Sequence, residues 1–205
     1  MTSKTRTTIA ISALLAVAIG LSIPTAMATA GTVESYWWKA NTGMCYNASS
    51  LNNMNVGGST GHSSTVITEV EQSRGVLNAE MNGVDITGDA WQNCYANHFD
   101  VASENVADST VLAYELSYLD LFDSTKMTQS EIRFNTDHSW SANSSSCSTS
   151  SLDIQWIGNH EMGHGIGLKH HTHPASPDSM MYESCHPKYA ALQTVDKTAI
   201  DIHYP

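Results

Sequence analysis

The stretch NHEMGHGIGLKH, Asn159 to His170, sets three histidines, one glutamate and three glycines within one short segment. On a helix, residues four apart share a face, so His160 and His164 can turn their rings toward one small cation. His170 can join them only if the helix ends first, because a continuing helix would carry it about three turns from His160. Gly167 is placed to end it, since glycine takes the left-handed conformation that closes helices, and Gly163 and Gly165 weaken the last turn. A reversal at Gly167 returns His170 to the pair, and the segment reads as a tridentate metal cradle. The histidine pair alone is a weak signal; with the added glycine and third histidine, a chance match falls below about one in ten thousand. Three neutral imidazoles suit zinc, with a water in the open fourth position. A dication lowers the pKa of such a water toward ~7. Glu161 stands beside His160, where it can take a proton as the water attacks a carbonyl and return it to the leaving amine.

Working outward, Leu152 to about Gly165 is the helix that presents the ligands, with Ser150 or Ser151 as its cap and Asp153 in its first turn. The serine-rich SANSSSCSTSS before it is a loop. TVLAYELSYLDLF alternates Leu112, Tyr114, Leu116 and Tyr118 as a strand does, and SEIRFNTDHSW follows as a short strand with a polar end. Thr65 to Met81 puts Val66, Ile67, Val70, Leu77 and Met81 at mostly helical spacing, with Gly75 as its weak point. SYWWKANTGMCYN suits a first strand. Near the end, Thr194 can cap a last helix whose Val195, Ala199 and Ile202 make one face. Neither an internal repeat nor a linker divides the chain, so one domain is expected.

The chain has 205 residues, and residues 1–30 have the pattern of a cleaved secretory signal. Lys4 and Arg6 form a basic start, Ile9 to Ile23 is an apolar run, and Pro24 precedes two overlapping A-x-A sites, so cleavage is expected after Ala28 or Ala30. An uncleaved anchor is the alternative, although the run is short for a bilayer. Residues 31–205 then form the domain, with seven basic and 20 acidic residues and a net charge of −13. That balance argues against nucleic acid and anionic membranes as partners. The cysteines Cys45, Cys94, Cys147 and Cys185 are even in number and too widely spaced for a zinc knuckle, which suggests two disulfides in an exported protein. Three pairings are possible. Cys45–Cys94 with Cys147–Cys185 keeps one bridge in the N-terminal part and one near the active-site segment.

The motif HExxHxxGxxH resembles the zinc signature of the metzincin metallopeptidases, and the chain is similar to their matrixin branch. VLAYEL resembles the branch's LAHAF, EIRFNTDHSW its AHFDDDExW, and LQTVDKTAIDIHY its closing helix, so the likeness runs from about Val111 to Tyr204. The resemblance implies an α+β catalytic domain: a mixed twisted β-sheet with a backing helix, an active-site helix, and a small C-terminal subdomain with a Met-turn and terminal helix. DSMMYES supplies that turn, with Met181 as an apolar floor under the metal rather than a ligand. The segment Glu131, Ile132, Arg133, Phe134 and Asn135 is expected as the edge strand above the cleft, where an extended peptide could pair. Pro187-Lys188-Tyr189 resembles the wall of the main specificity pocket. One catalytic zinc is expected and no structural zinc, because Tyr114 and Arg133 replace the family's histidines. Asn135-Thr136-Asp137-His138 brings one carboxylate, a poor calcium cage. No latency propeptide segment is evident, so the enzyme is expected to work on export. His171 and His173 are expected at the surface.

These expectations describe a secreted zinc endopeptidase acting on peptides or proteins, expected as a monomer. A non-catalytic exported zinc-binding surface module is the alternative, and the intact Glu161 speaks against it. A metal-sequestering protein, suggested by KHHTH and ten histidines, would hold several loose ions instead of one.

Overall fold

A computed structural model of the chain describes residues 33–88, 98–142, 147–148, 151–171, 179–182 and 191–205. The elements in order are β1 (Thr42–Tyr46), α1 (Ala48–Leu51), β2 (Asn55–Val56), α2 (Ser63–Asn78), β3 (Ile86–Gly88), β4 (His98–Glu104), β5 (Ala113–Leu119), β6 (Met127–Asn135), β7 (Ser139–Ser141), β8 (Cys147–Ser148), β9 (Ser151–Asp153), α3 (Ile154–Gly165) and α4 (Thr194–His203). Five strands form the main sheet in the order β3-β1-β4-β6-β5. Its first four strands are parallel neighbours, and β5 closes it antiparallel to β6. Parallel neighbours need a crossover, and α2 supplies the one between β1 and β3. A second, smaller sheet, β2-β7-β9-β8, was not foreseen.

The core lies between the main sheet and the paired helices α2 and α3. Val66, Val70 and Leu77 fall on one face of α2, as the helical spacing requires, and all three are fully buried. Phe99, Val101, Ile132 and Phe134 come from the sheet, and Ile154, Ile157 and Met162 from α3. Burying each such side chain stabilises the fold by roughly 1.5–3 kcal/mol before chain entropy is counted. Met81 lies just past the end of α2 yet is buried in the same cluster. The mixed sheet, backing helix, active-site helix and terminal helix are those expected.

Several details differ from expectation. Tyr36, Trp37 and Trp38 precede β1 instead of lying in it; Trp37 bridges to Lys126 and Val33 to Leu168, so the segment straps the β5–β6 loop to the end of α3. Gln193, not Thr194, caps α4, and Asp196 accepts from its backbone N–H at 2.9 Å to complete a capping box. That cap sets Asp196, Ala199 and Ile200 inward, and Ile202 is 53% exposed. Cys45 is buried and disulfide-bonded. The pairings Cys45–Cys94 and Cys147–Cys185 both involve residues outside the described ones, as do residues 1–30, His173, Pro187 and Tyr189. Among the described residues, no helix is long and apolar enough to cross a membrane.

Candidate metal centre

The helix that carries the candidate ligands grows directly out of a strand. β9 pairs with β7 and β8, which holds Ser151 extended and denies it the capping position. Asp153 caps instead, its side chain accepting from the Trp156 N–H at 2.7 Å. At the other end, Gly167 donates to His164 O at 2.8 Å and Leu168 to Gly163 O at 2.9 Å. This pair of reversed bonds is a Schellman closure with Gly167 at its left-handed position, φ 92°. A side chain at Gly167 would also meet the Tyr36 carbonyl oxygen at 2.5 Å. The chain therefore turns where the sequence requires it to, between the second and third histidines.

That turn brings the three rings together. His170 Nε2 lies 3.1 Å from His160 Nε2 and 3.0 Å from His164 Nε2. His160 Nδ1 lies 2.8 Å from the Met180 carbonyl oxygen, and His164 Nδ1 lies 2.9 Å from that of Leu168. A carbonyl only accepts, so both rings carry their proton on Nδ1 and turn the Nε2 lone pair to the common point. Burial, reinforced by the neighbouring imidazoles, pushes His160 down to about 3 and His164 down to about 4. Both rings are thus neutral ligands at ordinary pH. Lone pairs about 3 Å apart repel unless a cation lies between them, and a tetrahedral zinc at ~2.0–2.1 Å from each nitrogen produces spacings of this order. The donor set fits zinc. His170 is exposed, so the cradle opens to solvent on its side.

Under the cradle, Met181 is buried and packs against Gly163, where any added Cβ would collide with its Sδ. The glycine is therefore needed for close approach, not to weaken the helix. Asp196 holds the turn from α4: its carboxylate accepts from the Ser179 hydroxyl at 2.6 Å and from the Met180 N–H at 3.1 Å. Met180 in turn orients His160. Neither Asp196 nor the Met180 carbonyl was anticipated; the signal was an acid at the third position of α4, on the same side as Ala199 and Ile200. His171, expected at the surface, is buried, and its N–H donates to Met181 O at 2.7 Å. The turn needs that backbone pairing, and it draws the side chain inward.

Glu161 is buried, and its carboxylate accepts no hydrogen bond among the described residues. Burial, with the charge of Glu115 second, raises it to about 8. Glu115 on β5 was also missed. Its Oε1 accepts from Ser130 at 2.7 Å and Ser117 at 2.8 Å. Leu112, Tyr114, Leu116 and Tyr118 revealed the strand, but it is the other set, with Glu115 and Ser117, that turns toward α3.

The matrixin peptidase family model matches residues 96–205, more than half of the chain. The chain belongs to the matrixin family. A matrixin domain implies a zinc metalloendopeptidase acting on peptides or proteins, and His160, His164 and His170 are grouped closely enough that they could hold a metal ion. Among curated proteins, none matches the chain. The matrixin sheet corrects one expectation. Glu131, Ile132, Arg133, Phe134 and Asn135 lie on β6, which pairs with β4 on one side and β5 on the other, so their backbone is not free. The short loop after β5 folds the hairpin so that β5 takes the edge. On the sheet's outer face, Arg133 pairs with Asp100 at 2.6 Å and Glu131 at 2.9 Å, and its register partner Tyr114 bonds to Glu104.

Proposed function

We propose that this matrixin is an exported zinc endopeptidase in which Glu161 is the general base and His160, His164 and His170 hold one catalytic zinc. The observation that carries the proposal is the buried Glu161 carboxylate, without a hydrogen-bond partner among the described residues, next to three converging imidazoles. Bound zinc supplies Lewis acidity and a lowered water pKa. The protein's part is to hold and move the proton. Glu161 takes it from the attacking water and delivers it to the leaving nitrogen, the work of a positioned carboxylate beside that water. The carbonyls of Met180 and Leu168 keep two rings in register, and Met181 closes the floor. An extended peptide pairs with β5, the free edge beside α3. The Arg133 pairs support the absence of a structural zinc, since a chain cation already serves Asp100 and Glu131. Calcium has no evident cage at Asp137, whose carboxylate accepts from Asn105 at 2.5 Å.

Export rests on residues 1–30, with cleavage after Ala28 or Ala30, and on the cysteines, for which Cys45–Cys94 and Cys147–Cys185 remain the proposed pairs. The proposal is tested by incubating the zinc-loaded protein with a diverse peptide library and mapping cuts with and without chelator. Internal cuts that vanish with chelator and return with zinc are expected. An intact library would refute the peptidase assignment, and four free thiols in secreted material would refute the pairing.

A further inference from the structure

Strand β5 carries, within electrostatic reach of Glu161, a carboxylate that the mechanism above does not use. Glu115 lies near the middle of β5, the free edge, on the face that packs against α3. Ser130, whose hydroxyl donates to Glu115, is itself fully buried and sits directly under Gly165 at the end of that helix. Two hydroxyls converge on Oε1 of Glu115, at 2.7 and 2.8 Å, which fixes the carboxylate plane. Both bonds fall on Oε1, so among the described residues none reaches Oε2, and the residue as a whole is partly buried. Among the described residues, no basic side chain is paired with it. Glu34, the nearest acid of the N-terminal strap, has Lys169 as its partner at 3.3 Å, and Glu131 has Arg133. The neighbourhood of Glu115 is otherwise acidic: Glu34, Glu131 and Glu161 all lie within electrostatic reach.

A partly buried carboxylate with one oxygen held by two hydroxyls, and no cation beside it among the described residues, gains from a cation brought by something else. A peptide laid along β5 passes over this group, and a positive side chain can replace the missing counter-charge. We propose that Glu115 determines specificity by accepting a lysine or arginine side chain of the peptide, near the scissile bond. This rests on the peptidase assignment. Burial chiefly raises Glu115, to about 7, and the same burial that disfavours its bare charge strengthens a charge-assisted hydrogen bond to a guanidinium. Hydrogen bonds to charged groups are worth enough to discriminate about tenfold or more between a charged ligand and its neutral isostere.

The test uses peptides cleaved by the zinc-loaded protein, scanned with arginine or its neutral isostere citrulline at each position around the cut. The expected result is a kcat/KM ratio of about tenfold or more for arginine over citrulline at one position, falling to within about twofold of unity in Glu115→Gln. A ratio near unity at every position in the unaltered protein overturns the proposal, as does a ratio that survives Glu115→Gln. The same peptide pairs are also bound, without turnover, to Glu161→Ala and to Glu161→Ala/Glu115→Gln. Tighter binding of the arginine peptide only when Glu115 is present supports the proposal; equal binding overturns it. If no peptide is cut at all, the peptidase assignment fails, and arginine and citrulline versions of peptides selected from the library by binding alone then decide the role of Glu115.

Discussion

Around Arg133, the carboxylates of Asp100 and Glu131 find their cation within the chain, at 2.6 and 2.9 Å. In the cradle, three neutral imidazoles aim lone pairs at one point from about 3 Å apart, and neutral rings cannot neutralise one another's repulsion. The first cluster is a finished joint between β4 and β6. The second has its donors fixed from behind by backbone carbonyls, with its acceptors left open. A polar cluster that contains its own counter-charge needs no ligand; one whose lone pairs converge on one point has the donor set for a cation from outside.

The sharpest way to break this contrast is to count metal. One tightly held zinc per chain is expected after dialysis, and two would mean that a second set of donors binds as well. His164→Ala should lose both zinc and peptide hydrolysis, because two imidazoles hold the ion much less well than three. Retention of both would remove the cradle from consideration. Glu161→Ala leaves all three rings in place, so zinc content should be unchanged while kcat/KM falls by at least ~10²-fold and up to ~10⁴-fold. Near-normal hydrolysis with zinc bound would refute the assigned base.

Arg133→Met tests the other cluster. It strands two carboxylates and should lower stability by about 1–3 kcal/mol, seen as a reduced Tm, with zinc content unaffected. A loss of zinc would show that the two clusters are coupled. The smallest effect concerns pH. Glu115 is raised from 4.5 to about 7 when folded, so the folded state holds that proton more tightly than the unfolded chain does. Its contribution is fully present below about 4.5 and is lost as pH rises through about 7. In zinc-free protein, Glu115→Gln should therefore gain Tm relative to the unaltered chain between these limits. Parallel Tm curves would contradict the burial of that charge.

The metal site was legible because its chemistry is compressed into one segment. Helical spacing pairs His160 with His164, and Gly167 announces the reversal that returns His170 to them. The β5–β6 hairpin was legible as strands, but which of them lies outermost depends on where the loop folds the pair, and alternation carries no such information. Asp196 stayed hidden because a single acid in a helix usually faces water. Only the Ser179–Met180 turn, far away in sequence, explains why it faces inward. Ser151 looked like a cap for the same reason: nothing local shows that β7 and β8 hold it extended.

The Trp38 N–H donates to the Tyr204 hydroxyl at 3.2 Å, across 166 positions of sequence, and that hydroxyl donates to the Ile166 carbonyl at 3.0 Å. The corner between the second and third histidines is thus latched by one of the earliest and one of the latest described residues to be translated. Contacts that close so long a loop cost much chain entropy and form late. A ribosome must pass codon 204 before the latch can form, so a nascent chain that already contains every metal-binding residue still lacks the clasp that holds them in position.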